Sequence, residues 1–255
     1  MATHPLPIRW TETGDPSATD SCVLLHGFTQ TGACWPDIAI DRTRVGTVDL
    51  PGHGDASAVT AGPWEVADLL AASVDRSTTW IGYSMGARLA LHLALARPDL
   101  VARLVLVSGT AGLADAAERS ARRASDEALA RRIESIGVDS FLAEWLALPL
   151  FDAIPPERSC LEARRTNTAA GLASSLRLCG TGAQEPLWDR LGELAGVEVV
   201  VITGADDHKF TALGDRLATG IGPSARRVTL PGCGHSPQLE DPERFVSALG
   251  AALGR

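Results

Sequence analysis

Ser84 stands at the centre of Gly82-Tyr83-Ser84-Met85-Gly86, a spacing with one demanding chemical use. A serine hydroxyl is a weak base and a weak nucleophile at neutral pH. It does chemistry when a histidine takes its proton and a carboxylate fixes the histidine's tautomer. An apolar run ends at this motif, and Leu89, Ala90, Leu91, Leu93, Ala94 and Leu95 follow it at helical spacing. The pattern predicts a strand, a very tight turn and a helix, with Ser84 in a strained backbone conformation that lifts its side chain clear of the sheet edge. Gly82 and Gly86 fall where any side chain would collide with the neighbouring strand and helix.

The elements that must position such a serine are legible on both sides of it. Residues 7–14 alternate and then turn, as an edge strand does. Residues 22–25 form a short apolar run, a buried parallel strand, ending in His26-Gly27-Phe28-Thr29. Residues 44–50 give the next strand, followed by the turn Pro51-Gly52-His53-Gly54, in which His53 reads as structural. Residues 64–72 read as a helix and 101–108 as a further buried strand closed by Gly109. From 111 to 186 strand-like runs give way to an amphipathic, arginine-bearing helical stretch broken at Pro149 and at Pro155-Pro156. Strand character resumes at 197–204 and 227–230, and a C-terminal helix spans 242–253.

Strands alternating with helices imply an α/β protein with a mostly parallel central sheet and helices on both faces. The expected organisation is a core of residues 1–110 and 187–255 with an inserted α-helical cap over 111–186. Combined with the turn at Ser84, this is the α/β-hydrolase fold, in which the chain order is serine, acid, histidine. Gly204-Ala205-Asp206-Asp207 follows a late strand and Gly232-Cys233-Gly234-His235 follows the last one. His235 is the expected histidine and Asp207 the expected acid, with Asp206 as the alternative; His208 reads as an exposed loop residue. The backbone N–H groups of Phe28 and Met85 are expected to form an oxyanion hole. A serine at this turn also excludes chemistries that need a carboxylate nucleophile.

At 255 residues the chain is ordinary for one α/β sheet with an insertion, and its net charge of −8 argues against a general nucleic-acid or membrane-surface binder. The five cysteines are odd in number and scattered without metal-type pairing, which fits reduced thiols in a cytoplasmic protein. Neither a signal peptide at the start of the sequence nor an apolar run of membrane-spanning length is read from it. A monomer or small homo-oligomer is expected.

The chain also resembles a narrower family, the 2-succinyl-6-hydroxy-2,4-cyclohexadiene-1-carboxylate synthases of menaquinone biosynthesis. The similar segments include Gly82 to Arg88, Val107 to Leu113, the stretch from Ser120 to Asp126, Trp145 to Phe151, Arg165-Thr166-Asn167 and Asp207-His208-Lys209-Phe210. One departure is Ala87, where the family usually has glycine; a methyl group there is expected to be tolerated. The resemblance implies a lyase that eliminates pyruvate from a succinyl-enolpyruvyl-hydroxycyclohexene carboxylate. Ser84, activated by His235, would abstract a proton, with no metal and no organic cofactor. A substrate with three carboxylates gives Arg88, Arg122 and Arg165 a shared purpose as bidentate partners. Trp145 and Tyr83 would complete the binding site, with Trp145 packing on the apolar ring; Arg123 is assigned to a solvated helix face. Two rivals remain: a serine hydrolase (an esterase or carbon–carbon bond hydrolase) using the same three residues, and a ligand receptor that kept the fold and lost turnover.

Overall fold

The computed structural model describes residues 5–11, 18–40 and 42–254. Seven strands form one sheet: β1 (Ile8–Trp10), β2 (Asp20–Leu25), β3 (Thr43–Val48), β4 (Thr78–Tyr83), β5 (Val101–Val107), β6 (Glu198–Gly204) and β7 (Ala225–Leu230). Their order across the sheet is β1-β3-β2-β4-β5-β6-β7. Among the described strands only β1 runs antiparallel, against β3; it lies at the edge of the sheet, as the alternation of residues 7–14 implies. The turn expected near Gly14 lies outside the described residues.

β4 lies at the middle of the sheet, with Ile81 opposite Leu24 of β2 on one side and Val105 of β5 on the other. The strands alternate between two cores. Trp80, Leu104, Leu106, Val199 and Val201 face one core, packed against α1 (Pro63–Ala72) and α2 (Met85–Ala96). Ile81, Tyr83, Val105, Val107, Val200 and Ile202 face the other, closed by Trp35 and by Phe245 and Leu249 of α8 (Pro242–Ala252). Because both faces are covered, these strands read in the sequence as unbroken apolar runs. Full burial of a leucine or valine stabilises by about 1.5–3 kcal/mol, so the two cores dominate the stability of the sheet.

Between β5 and β6 every described element is helical. α3 (Ala116–Leu146) starts at Asp115, whose carboxylate accepts from the Glu118 N–H, and is broken at Gly137, where φ is +77° and ψ 171°. Nothing lies within 4 Å of a Cβ built there, so the requirement for glycine is conformational and not a matter of space. Pro149 and Pro156 open short 3₁₀ turns, Pro149–Phe151 and Pro156–Arg158, at the two breaks that the prolines predict. α4 (Leu161–Arg164) and α5 (Ala169–Cys179) follow. Ala130, Ile133 and Phe141 of α3 pack on Leu172, Ala173 and Leu176 of α5 in a third, smaller core. α6 (His208–Ile221) and α7 (Pro237–Glu240) complete the fold. No helix among the described residues is long and apolar enough to cross a membrane.

Candidate active site

Ser84 joins β4 to α2 with φ +51° and ψ −105°, a conformation that L-residues avoid. Packing holds it there. A Cβ on Gly82 would sit 2.3 Å from the Gly86 carbonyl oxygen, and one on Gly86 would sit 2.1 Å from that of Leu25. The methyl of Ala87 is buried and faces the space left by Gly109, where an added Cβ would come within 2.8 Å of it. Space at Gly109 is therefore what admits alanine at this position.

His235 Nε2 lies 3.2 Å from Ser84 Oγ, and its Nδ1 lies 2.8 Å from Asp207 Oδ2. Asp207 caps α6, its Oδ1 accepting from the Phe210 N–H at 3.1 Å. Burial works to raise its pKa, but the bonds from His235 and the Phe210 amide outweigh burial and hold it below the usual carboxylate range. Asp206 is exposed, and its N–H donates to the Cys233 carbonyl; its side chain takes no part in the series. His208 is also exposed, although it opens α6 and is not a loop residue.

The loop bearing His235 is clamped by a residue that sequence reasoning missed. Glu240 of α7 accepts from the N–H of Gly234 with one oxygen and from that of Ser236 with the other at 2.7 Å, so it grips both neighbours of His235. Tyr83 Oη meets Ser236 Oγ at 2.5 Å, and the Tyr83 ring lies 5.5 Å from that of His235. On the opposite side, buried His26 and His53 shape the loop that presents Phe28. Each accepts a backbone N–H at Nε2, from Leu50 and Thr29, and donates Nδ1–H to a backbone carbonyl. Both are neutral, with burial pushing their pKa values down to about 4 and about 3. His53 is structural, as its turn suggests. Gln30 Oε1 secures the same loop by accepting from the Gly27 N–H.

These groups open into a cavity of about 410 Å³ between the sheet edge and the helices of the insertion. Phe28, Leu129, Trp145, Leu150 and Phe151 form its apolar wall. Trp145 lies 5.4 Å from Phe28 and 5.7 Å from Phe141, and its indole Nε1 is a buried donor without a protein partner among the described residues. Arg88, Arg122 and Lys209 also line the cavity. Arg88 is buried, and Nη1 donates to the Cys179 carbonyl at 2.8 Å and to Gln184 Oε1 at 3.0 Å. Burial lowers its pKa to about 10, which leaves it charged at neutral pH. Arg122 is half-exposed and pairs with Asp126 one helical turn on, at 2.7 Å.

Arg165 departs from the expectation. It points away from the cavity, exposed, and forms ion pairs with Asp139 at 3.0 Å and Glu162 at 2.6 Å. Its neighbour Arg164 lines the cavity instead, only 1% exposed. Arg164 Nε donates to the Ser159 carbonyl at 2.8 Å and Nη1 to the Thr29 hydroxyl, while Nη2 is buried with no protein partner among the described residues. α4 is a single turn, so the choice between adjacent arginines is made by packing: Asn167 just beyond it bridges the Thr29 carbonyl and the Gly54 N–H, fixing which face turns inward.

A family model described as the alpha/beta hydrolase family matches residues 22–248. The chain belongs to the alpha/beta hydrolase family. Within it, this hydrolase-fold chain groups with the 2-succinyl-6-hydroxy-2,4-cyclohexadiene-1-carboxylate synthases. It is 35% identical to a protein of Bacillus subtilis (strain 168) named as a putative synthase of that type, over 93% of this chain and 92% of the relative. It is 34% identical to the synthase of Serratia proteamaculans (strain 568), over 84% of this chain and 82% of that one. Among solved structures, the hydrolase fold superposes on MenH from S. aureus with a TM-score of 0.86 and 28% identity, covering 99% and 98% of the two chains.

Proposed function

We propose that this protein is a carbon–oxygen lyase. It would eliminate pyruvate from a succinyl-enolpyruvyl-hydroxycyclohexene carboxylate to give 2-succinyl-6-hydroxy-2,4-cyclohexadiene-1-carboxylate. One observation carries the reading: the Ser84–His235–Asp207 series opens into a cavity lined by Arg88, Arg122 and Arg164, with Nη2 of the buried Arg164 left without a protein partner among the described residues. An ordinary neutral ester has no use for them; a tricarboxylate does. The names of the relatives support the same product.

In this mechanism His235 Nε2 accepts the Ser84 proton as Ser84 Oγ removes a ring proton. Asp207 keeps Nδ1–H of His235 in place and stabilises the imidazolium that forms. The carbon–oxygen bond to the enolpyruvyl group then breaks, the electron pair leaves on oxygen and takes the proton held by His235, and the released enol tautomerises to pyruvate. Negative charge developing on the conjugated succinyl carbonyl falls to the N–H groups of Phe28 and Met85. Met85 is the first residue of α2, where backbone N–H groups lack an intrahelical acceptor and the helix dipole is positive. Arg88, Arg122 and Arg164 take the carboxylates, and Trp145 lies against the ring with its indole N–H free to donate. The helical insertion, residues 111–186, acts as the cap over this reaction. The five free cysteines suit a reducing, cytoplasmic setting.

The test is pyruvate release from the succinyl-enolpyruvyl substrate, generated in situ by its upstream synthase, against the spontaneous background. Ser84→Ala is expected to lower release by at least ~10³-fold while the far-ultraviolet circular dichroism is unchanged. If pyruvate release showed no acceleration while p-nitrophenyl acetate was cleaved briskly, the lyase reading would give way to a serine esterase or carbon–carbon bond hydrolase.

A further inference from the structure

Two of the five cysteines meet across the boundary between insertion and core. Cys34 ends the 3₁₀ turn Gly32–Cys34, which follows the loop of Phe28 and Gln30, and its side chain is buried. Cys160 precedes α4 and is half-buried. The Cys160 thiol lies 3.6 Å from the Cys34 carbonyl oxygen and 3.4 Å from that of Arg158, which seats it against Cys34. Cys160 holds φ at +58°, left-handed geometry that only glycine and, less readily, asparagine or aspartate adopt without strain. In that conformation its sulfur lies against the Cys34 backbone.

The surroundings divide the labour between the two sulfurs. The Cys160 side chain lies beside Cys34, whose Sγ accepts from the Thr31 N–H at 3.4 Å, and the Arg164 guanidinium contributes positive charge. These outweigh burial and lower the Cys34 pKa, while the same contact keeps Cys160 protonated. Elsewhere, burial pushes Cys22 and Cys179 up. A thiol prone to ionise beside a second thiol in contact with it is the arrangement of a peroxide-reactive pair.

We propose that Cys34 and Cys160 form a peroxide-oxidised thiol pair that closes to a disulfide joining the helical insertion to the sheet core. The Cys34 thiolate attacks one peroxide oxygen, the O–O bond breaks, and the departing hydroxide takes a proton, leaving Cys34 as a sulfenic acid. The Cys160 sulfur then attacks Cys34 Sγ, the S–O bond breaks, and the sulfenic oxygen leaves as water with the Cys160 proton. Two thiols and one hydroperoxide become one disulfide, with the peroxide oxygens reduced to water or alcohol. The link spans 126 residues of chain and pins the turn four residues before Arg164.

The test uses the full-length reduced protein treated with stoichiometric hydrogen peroxide, then denatured and alkylated. Titratable thiols are expected to fall from five to three, and dithiothreitol to restore them. After trypsin, fragment 159–164 should be joined to fragment 10–42 with the loss of two hydrogens. Fragment 10–42 also carries Cys22, so fragmentation of the linked pair must place the bond on Cys34. Cys160→Ser, lacking the second thiol, should accumulate a Cys34 sulfenic acid captured by dimedone; Cys34→Ser should give neither adduct nor link. Five persisting thiols, a bond to Cys22, or oxidation of Cys160 in Cys34→Ser would each overturn the proposal.

Discussion

Replacing Arg164 and Arg165 separately tests how the cavity recognises its ligand. Arg164 has three donor atoms in play, and the protein uses two: Nε on the Ser159 carbonyl and Nη1 on the Thr29 hydroxyl. Only Nη2 remains for a carboxylate oxygen. One hydrogen bond involving a charged group contributes about 1.5–3 kcal/mol, which at ~1.4 kcal/mol per decade is roughly a 10- to 150-fold loss in kcat/KM for Arg164→Met. The loss should appear mainly in KM, because the bond is made to the ground state as well as the transition state. Arg165 makes two exposed ion pairs, so Arg165→Ala should shift stability by less than about 1 kcal/mol and leave kcat/KM within about twofold. The assay is initial-rate pyruvate release over a range of substrate concentrations, with thermal midpoints confirming that both variants are folded at the assay temperature. An Arg164→Met enzyme within threefold of wild type, or an Arg165→Ala enzyme that falls as far as Arg164→Met, would refute the assignment.

Two other outcomes follow from the interior. Burial lowers the pKa of His26 to about 4, of His53 to about 3 and of His92 to about 4, well under the value near 6.5 of an unfolded chain. The unfolded chain therefore binds more protons, so their contribution is complete above about pH 6.5 and is lost as pH falls toward 4, with a slope of up to ~1.4 kcal/mol per pH unit for each histidine. Urea midpoints at pH 7.5, 6 and 5 should drop progressively, and His92→Gln should flatten the dependence; an unchanged slope in that variant would exclude His92 from it. Separately, Gly86→Ala would force a Cβ to 2.1 Å from the Leu25 carbonyl oxygen and should destabilise by ~3 kcal/mol or more, read as a lower urea midpoint. Wild-type stability in Gly86→Ala would mean that the elbow is looser than its packing implies.

What the sequence discloses here depends on whether a residue's partner is near it in the chain. Val199, Val200, Val201 and Ile202 are buried on both sides of the sheet, so their run is apolar throughout and reads directly as a parallel strand. Ser84, Asp207 and His235 are found because each ends a strand at a glycine-marked turn. Arg164 is not distinguishable from Arg165, since a helix of one turn has no periodicity from which to infer its inner face. Glu240 and Gln30 were missed because they act on backbone N–H groups, which carry no residue identity to match. Gln184 was missed because its partner, Arg88, is 96 residues away. The break at Gly137 is silent as well: a glycine costs a helix only ~1 kcal/mol, so its presence does not announce an interruption.

Arg88 carries a consequence for how such a binding site can change over evolutionary time. The guanidinium that lines the cavity from α2 also fastens the end of α5 through the Cys179 carbonyl, and Gln184 beyond it. A substitution that adapts it to an uncharged ligand also unties the insertion from the core, so ligand preference and assembly are inherited together at this position. Leu129 and Leu150 have no such second duty in the hydrogen-bond network, which makes the apolar wall the place where new ligand shapes can be explored without first compensating elsewhere. Divergence in this scaffold should therefore reshape the greasy side of the pocket early and exchange its cations late.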